Sequence, residues 1–333
     1  MRKLRYGAAI AEALAEEMER DPEVFLIGED IGEAGGVFGV TRGLFKKFGP
    51  DRVFDTPISE EAIVGAAVGA ALVGARPVVE VMFGDFVTLA MDMLVNQAAK
   101  TSYMTGGRIG VPVTVRMVTG TAGSTAGQHS QSLEAWFVHT PGLKVVAPSN
   151  AADAKGLVKA AIRDPDPVMV FEHKLLYGRS DQVPDQVDPL PLGEGRVVRE
   201  GEDVTVVSYL HTLYAALEAA ERLEEEGISV EVLDPRSLVP FDRRLLSDSL
   251  RKTGRLLVAH EAPRRGGVGA EIAAIAAEEM WDLLGAPITR VCGANTPMPY
   301  APELEGFVIP DAARIAEGIR ATVKGSPGRL TPV

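Results

Sequence analysis

Cysteine is nearly absent from the sequence, and long apolar runs and an excess of positive charge are missing altogether. The single cysteine, Cys292, can form neither an internal disulfide nor a zinc site, which predicts a reducing compartment, the cytoplasm. The most apolar stretch, 62–75, is shorter than the roughly 20 residues that cross a bilayer. Four glutamates between residues 12 and 19 exclude the apolar core of a signal peptide. With a formal net charge of −12, the chain is expected to bind neither nucleic acid nor membrane.

Motifs that bind nucleotide phosphates are missing as well. No Gly-Lys-Ser/Thr triplet occurs, which excludes a P-loop. Gly267-Val268-Gly269 follows a predicted strand, as in a dinucleotide-binding loop, but Ile272 occupies the position of the third glycine. We therefore expect no nucleotide at this turn.

The sequence does contain a regular alternation of helical and apolar strand patterns. Its 333 residues suffice for two domains, and the alternation predicts an α/β fold with largely parallel sheets. We predict a first domain over 1–180, a proline-rich linker over 181–202 and a second α/β domain over 203–333. In the first domain we predict helices at 7–20, 60–75, 86–100 and 150–163, and strands at 24–27, 77–83, 111–118 and 167–172. In the second we predict helices at 212–226, 242–253 and 268–284, and strands at 203–209, 228–234 and 255–260.

Candidate functional residues lie in loops that follow strands, where ligands bind in doubly wound sheets. Glu29 and Asp30 follow the first buried strand and are either proton-transfer groups or helix-capping acids. Glu60 and Glu61 follow Ser59, a candidate helix cap, and both suit the positive end of a helix. Successive helical residues point about 100° apart, so at most one of these two glutamates can face a given pocket.

Two neighbouring helices carry patterned faces. Gly65 and Gly69 form a small-residue stripe that predicts a tight contact with another helix or subunit, although core packing also explains it. After Gly84-Asp85-Phe86, the polar residues Asp92, Asn96 and Lys100 share one helix face, which is typical of an exposed or interfacial stripe.

The loop 120–131 is rich in glycine and small residues, and His129 lies near its end. Such a loop lets backbone approach a ligand closely. His129 is therefore either a candidate acid or base or a structural histidine.

Seven segments spread along the chain form a recognisable set: GEDIG, RVFDTPISE, AAK-x-x-YM-x-GG, AGQHSQS, HTPGLKVVAPS, GLVKAAIRDPDPV and MPYAPELE. Together they resemble the beta subunit of the thiamine-diphosphate-dependent 2-oxo acid dehydrogenases, a family that includes the pyruvate, branched-chain and acetoin dehydrogenases. The similarity runs in order from about residue 4 to residue 319. It implies a transketolase-like fold, in which a pyrimidine-binding domain with a parallel sheet precedes a smaller α/β C-terminal domain.

The resemblance also implies roles for individual residues. Glu60 matches the catalytic glutamate beside the aminopyrimidine ring of thiamine diphosphate, where it stabilises the imino tautomer that takes up the thiazolium proton. Glu29 and Phe86 match cofactor-binding positions, an acid near the cofactor and an aromatic ring that packs on the pyrimidine. Glu29 is also placed with Asp92 in an acidic path between the two sites of the assembly. His129 matches an active-site histidine that orients the substrate or the incoming lipoyl group.

One motif of thiamine enzymes, Gly-Asp-Gly, does not occur in the chain. That motif holds magnesium and the diphosphate, so the resemblance implies that an alpha subunit supplies them. The implied partners are this alpha subunit, in an α2β2 heterotetramer, and a lipoyl-bearing acyltransferase core.

In several relatives, backbone carbonyl groups in one loop bind potassium. The matching residues here are Val113, Ala161, Ile162, Asp164 and Asp166. Pro165 lies within this loop and alters the carbonyl geometry that the resemblance implies.

The leading hypothesis is decarboxylation of a 2-oxo acid, above all pyruvate, followed by acyl transfer to lipoyl groups. An acetoin dehydrogenase beta subunit is the alternative within the family. A non-catalytic scaffold subunit is the alternative of another class, and the presence of Glu60, Phe86 and His129 together argues against it. The missing magnesium motif excludes a self-sufficient transketolase-type enzyme, unless the chain is a fragment of a longer one.

Overall fold

The computed structural model of the chain describes residues 1–325, which divide into two compact units. The first unit comprises Met1–Thr119 and Trp136–Leu192. The second comprises Gly120–Ala135 and the chain from Gly193 onward. Each unit is described by itself below.

The first unit contains a parallel sheet with helices and a small antiparallel pair of strands. Its strands are β1 (Arg2–Arg5), β2 (Val24–Gly28), β3 (Val53–Asp55), β4 (Arg76–Val81), β5 (Thr114–Thr119), β6 (Lys144–Val146), β7 (Val168–His173) and β8 (Ser180–Val183). Its helices are α1 (Tyr6–Arg20), α2 (Leu44–Phe48), α3 (Glu60–Leu72), α4 (Ala99–Met104), α5 (Glu134–Val138, which begins in the second unit) and α6 (Ala151–Arg163). Six strands lie in the order β6-β7-β5-β4-β2-β3 and all pair in parallel, while β1 pairs with β8 antiparallel.

Burial explains why these strands read as continuous apolar runs. Every residue of β5 and β7 is buried, as expected for central strands of a sheet covered on both faces. Helix α1 buries residues three and four positions apart, including Ile10 and Leu14, and packs against α6. Between these two helices, the Arg163 guanidinium donates to the buried Glu17 carboxylate at 2.7 Å.

The second unit is a smaller α/β layer structure. Its strands are β9 (Arg196–Arg199), β10 (Val204–Ser208), β11 (Val230–Asp234), β12 (Ser237–Val239), β13 (Leu256–Pro263) and β14 (Thr289–Gly293). Its helices are α7 (Thr212–Glu224), α8 (Arg243–Thr253), α9 (Val268–Glu279), α10 (Pro302–Val308) and α11 (Ala312–Val323). The sheet order is β14-β13-β10-β11-β9, with β9 antiparallel to β11 and the other pairs parallel. The prediction of an α/β fold, in which a domain with a parallel sheet precedes a smaller α/β domain, is confirmed.

The prediction of one continuous helix over 86–100 is wrong. The segment forms a 3₁₀ helix, Gly84–Ala90, then a π-helix, Met93–Ala98, and only then α4. Gly84 lies so close to β5 that an added Cβ would be 3.1 Å from the Val118 carbonyl oxygen. The Thr88 hydroxyl donates to the Asp85 carbonyl at 3.0 Å. Such side-chain bonds compete with a regular helical ladder, which accounts for the tighter first turns.

Other boundaries move for local reasons. Strand β5 begins later than predicted because Pro112 has no N–H to donate to a ladder. Helix α3 ends before residue 75 because Gly74, with φ +106, and the Ala75 N–H, which bonds Ala70 O at 3.1 Å, close its C-terminus. Helix α9 ends at Glu279 and is followed by a separate 3₁₀ turn, Trp281–Leu283. The segment predicted as a linker, 181–202, contains most of β8 and all of β9.

Among residues 1–325, no helix is long and apolar enough to span a membrane.

Candidate functional site

The carboxyl edge of the parallel sheet in the first unit is held together by hydrogen bonds between two post-strand loops. The Thr56 N–H donates to Gly28 O at 3.0 Å, and the Gly32 N–H donates to Asp55 Oδ1 at 2.6 Å. Gly28 must be a glycine, since a Cβ there would lie 2.8 Å from the Glu80 carbonyl oxygen. The loop that carries Glu29 is therefore fixed against the end of the neighbouring strand.

Of the two glutamates at the start of α3, only Glu60 turns inward. Glu60 is 8% exposed, whereas Glu61 is exposed. Ser59 occupies the N-cap position, but its hydroxyl makes no capping hydrogen bond; its carbonyl starts the helix by accepting from the Ile63 N–H at 2.9 Å. One of the two glutamates is thus buried, and it is the residue that the resemblance matches to the catalytic position.

Glu29 and Glu60 lie near one another. Burial raises the pKa of Glu29, and the negative charges of Asp30 and Glu60 raise it further. Neither glutamate takes part in an ion pair within residues 1–325. The fold thus brings together two acids that repel each other and provides no cation to compensate them.

Phe86 lies in the 3₁₀ helix that follows β4, the strand next to β2. Its ring is half-buried and meets Phe83 edge to face, with ring centroids 6.1 Å apart. Phe83 in turn meets Phe38 at 5.7 Å and carries the Lys174 ammonium 5.5 Å from its ring centroid. Phe86 is therefore one ring of an aromatic cluster that also contains Phe83 and Phe38.

Asp92 is exposed, and its carboxylate accepts from Asn96 Nδ2 at 2.6 Å. The polar stripe predicted from Asp92, Asn96 and Lys100 is therefore internally bonded at its first two members. An acidic path from Asp92 to Glu29 stays a prediction.

His129 belongs to the second unit, unlike Glu29, Glu60 and Phe86. Its loop is closed by the Gly120 N–H, which donates to Gln131 O at 3.2 Å. The Thr125 hydroxyl lies 2.6 Å from the Ser130 hydroxyl and 3.4 Å from the His129 carbonyl oxygen. The imidazole is half-exposed, so it can meet a ligand in solution.

A cavity of about 300 Å³ lies in the second unit beside this loop. Its wall includes Gly127 and Ser130 from the loop, the Glu261 carboxylate, and Pro297 and Met298 from the segment before α10. The loop therefore has free volume on one side.

Buried charged residues inside the strands were missed by the sequence reasoning. In the first unit, the Arg116 guanidinium donates to Glu172 at 2.7 and 2.9 Å and to Glu80 at 2.8 Å, and the Tyr177 hydroxyl donates to Glu172 at 2.6 Å. A charged residue within an apolar strand pattern could have predicted these ion pairs, because a buried charge must be paired.

The second unit contains a further buried titratable group. Glu134 is 1% exposed, and burial raises its pKa to about 7, with the Glu261 carboxylate adding to the rise and its own backbone N–H opposing it. Nothing in the pattern before Glu134 marked it as buried.

The spacing Gly267-Val268-Gly269 has a packing explanation. An added Cβ at either glycine would come within 2.7 Å of the His260 ring. The Gly269 N–H donates to His260 Nε2 at 3.0 Å, and burial lowers the pKa of His260 to about 4. The glycines thus make room for a neutral imidazole.

Four of the five carbonyl groups predicted to bind potassium already have partners. Ile162 O and Asp164 O accept from Arg76 Nη1 at 2.8 and 3.2 Å, Ala161 O accepts from the Asp164 N–H at 3.2 Å, and Val113 O accepts from the Val168 N–H at 3.0 Å. Lys144 Nζ lies 3.1 Å from the Asp166 carboxylate. The side chains of Arg76 and Lys144 therefore already bind this loop. Its geometry does not support a potassium site, and potassium binding stays a prediction. Within residues 1–325, no cluster of three or more His, Cys, Asp or Glu side chains could hold a metal ion.

Comparisons with known proteins place these features in a family. The family model for the transketolase pyrimidine-binding domain matches residues 2–180, and that for the transketolase C-terminal domain matches 193–315. The pyruvate dehydrogenase E1 component subunit beta-2, mitochondrial, of Oryza sativa subsp. japonica is 47% identical over 97% of this chain and 87% of its own length. The beta subunit of acetoin:2,6-dichlorophenolindophenol oxidoreductase of Cupriavidus necator is 48% identical over 97% of this chain and 98% of its own.

Among solved structures, a split-gene transketolase described as an inactive beta4 tetramer matches with a TM-score of 0.80 and 26% identity, covering 96% of this chain and 97% of that one. The resemblance noted from the seven sequence segments is thus confirmed over nearly the whole chain. The chain belongs to the family of pyruvate and acetoin dehydrogenase beta subunits, built from transketolase pyrimidine-binding and C-terminal domains.

Proposed function

We propose that the chain is the catalytic beta half of a thiamine-diphosphate-dependent 2-oxo acid dehydrogenase, with pyruvate as the substrate. One observation carries the proposal. Glu60 is buried at the start of α3, beside a second acid with a raised pKa, and has no cationic partner in residues 1–325. Such a carboxyl group suits a ligand with a ring nitrogen that can share its proton.

The residues then divide the work. Bound thiamine diphosphate would supply a carbon nucleophile that attacks the 2-oxo group and accepts the electrons left by decarboxylation. Glu60 holds a proton between its carboxyl oxygen and a nitrogen of the aminopyrimidine ring. Phe86 offers a ring face to that pyrimidine, which excludes water from the shared proton. Glu29 adds a second carboxyl group beside Glu60, and His129 orients the substrate or the acyl acceptor.

The cofactor site is proposed to be completed by an alpha subunit that holds magnesium and the diphosphate, in an α2β2 heterotetramer. The absence of Gly-Asp-Gly from the chain supports this, as does the relative in fold described as an inactive beta4 tetramer. Helix α3 offers a surface for the contact: Ala66 and Gly69 are exposed along it, with Ile58 and Val73 strongly exposed at its two ends. We propose further that the acyl group passes to lipoyl groups on an acyltransferase core, and that the assembly works in the cytoplasm.

Acetoin cleavage is the second candidate. It is favoured by the Cupriavidus necator relative, whose identity of 48% is close to that of the pyruvate dehydrogenase subunits. Activity of the assembled enzyme with acetoin and not with pyruvate would decide for this candidate.

Calorimetric titration tests the half-site. Thiamine diphosphate with magnesium is titrated into this chain alone and into the chain co-expressed with its alpha subunit. We expect binding only in the mixture, and tight binding by the lone chain would refute the shared site.

Two matched variants test the role of Glu60. Glu60→Gln should lower turnover of the assembled enzyme by at least about 100-fold, in the range of general acid–base effects, and leave assembly intact. Glu61→Gln, one residue along and exposed, is the control and should keep full activity. Activity of Glu60→Gln within about tenfold of the parent would contradict the assigned role and agree with the scaffold alternative. Loss of cofactor binding in both variants would show that the substitutions disturb the start of the helix.

A further inference from the structure

Glu305 is a buried carboxylate on α10 that holds the start of the His129 loop. It is 5% exposed. Its Oε1 accepts from the Gly123 N–H at 3.1 Å and from the Thr121 hydroxyl, and its Oε2 accepts from the Ser124 N–H at 2.6 Å. A second carboxylate, Glu261 on β13, accepts from the Thr121 N–H at 2.7 Å.

The backbone that these two carboxylates bind has an unfavourable conformation and no regular secondary structure to stabilise it. Gly123, Ser124 and Ala126 have φ values of +86, +58 and +58, a conformation that side-chain-bearing residues rarely adopt. No ladder of helix or strand satisfies the N–H groups of this segment, because it lies between β5 and α5 without regular structure. Hydrogen bonds to an ionised carboxylate are about twice as strong as neutral ones and compensate for this strain.

The anchored segment leads directly to His129. Thr125, the next residue after Ser124, is within hydrogen-bonding distance of both the Ser130 hydroxyl and the His129 carbonyl oxygen. A displacement at Ser124 is therefore transmitted to the histidine through one residue and its hydroxyl. Glu305 itself binds no part of the imidazole.

We propose that Glu305 is a positioning residue, which fixes the backbone from Thr121 to Ser124 and thereby sets the place of the His129 imidazole. The inference rests on the role of His129 given under the proposed function. Glutamine is the informative replacement: its amide NH₂ would face either the Ser124 N–H or the donors at Thr121 and Gly123, and donor would meet donor. Glu303, exposed on the same helix, provides the matched control.

The test uses the assembled enzyme with its alpha subunit and two readouts. Hydrogen–deuterium exchange of the peptide covering 120–128 should be at least about tenfold faster in Glu305→Gln than in the parent or in Glu303→Gln, with the rest of the chain unchanged. The kcat for decarboxylation with an artificial oxidant should fall about 10- to 100-fold in Glu305→Gln, and the KM of the 2-oxo acid should change less. In a His129→Ala background, the same substitution should change kcat by less than about twofold.

Every other outcome would contradict one step of the proposal. Unchanged hydrogen–deuterium exchange in Glu305→Gln would show that Glu305 does not fix the backbone from Thr121 to Ser124. Faster exchange with unchanged kcat in Glu305→Gln would contradict the positioning role of Glu305. An equal loss of kcat in the parent and in the His129→Ala background would contradict it as well. Full activity of His129→Ala alone would overturn the proposed role of the histidine, while exchange would still judge the anchor. If Glu305→Gln does not fold, Thr121→Val removes one donor and leaves the carboxylate in place, and the same criteria apply to it.

Discussion

Replacing Glu134 by Gln should make the protein more stable at alkaline pH and leave its stability unchanged at acidic pH. The folded state holds Glu134 with a pKa of about 7, against 4.5 for the same group in the unfolded chain. Between these values the folded state binds more protons, so its stability falls as pH rises, by about 1.4 kcal/mol for each pH unit. The contribution is fully present below pH 4.5 and is lost once pH passes about 7. The loss approaches about 3 kcal/mol as an upper value.

The free energy of unfolding in urea, measured from pH 5 to pH 8.5, checks this expectation. Glu134→Gln removes the charge but keeps the shape of the side chain. The difference between variant and parent should grow from about 1 kcal/mol at pH 5 to about 3 kcal/mol at pH 8, and Glu303→Gln, at an exposed position, should track the parent throughout.

A lower free energy of unfolding in Glu134→Gln than in the parent would refute this reasoning. If Glu134→Gln is less stable than the parent by a constant amount at every pH, the carboxylate is ionised in the fold and compensated. If the two proteins stay equal up to pH 8.5, burial does not keep the proton on Glu134.

Three further substitutions test other contacts. His129→Ala should lower turnover of the assembled enzyme at least about tenfold without weakening thiamine diphosphate binding by calorimetry; weakened folding instead would favour a structural histidine. Gly269→Ala brings a Cβ to 2.7 Å from His260 and should cost about 1–3 kcal/mol in urea unfolding, whereas Gly306→Ala, with nothing within 4 Å, should not destabilise; equal effects would reject the packing argument. Arg116→Met should cost about 3–5 kcal/mol, because it leaves two buried carboxylates without their cation, and a loss below about 1 kcal/mol would contradict that account.

Periodicity predicted most of the fold because each local pattern agrees with the tertiary structure. The apolar run at Val24–Gly28 is a buried parallel strand, and the pattern of α1 buries the face that its spacing predicts. The prediction failed where side chains compete with the backbone, as at Thr88 in the 3₁₀ helix that replaced the start of helix 86–100.

The arrangement of the candidate site was less accessible from the sequence. Helical spacing shows only that Glu60 and Glu61 cannot both face one pocket. The choice of Glu60 over Glu61 came from the family resemblance. Glu305 lies 181 residues from Ser124 along the chain, and no local pattern predicts a contact at that separation. Its motif, MPYAPELE, was recognised only as part of a resemblance.

Two pairs of carboxylates in the first unit differ in how their charge is compensated. Glu80 and Glu172 lie inside strands, and the Arg116 guanidinium compensates both of them. Glu29 and Glu60 lie just beyond strand ends, repel each other, and have no ion pair within residues 1–325. Burying a carboxyl group near another negative charge costs free energy that the fold recovers nowhere in this unit. The Arg116 guanidinium pairs with Glu80 and Glu172, whereas Glu60 has no such cation within residues 1–325, and the proposed chemistry is therefore assigned to Glu60 and not to Glu80.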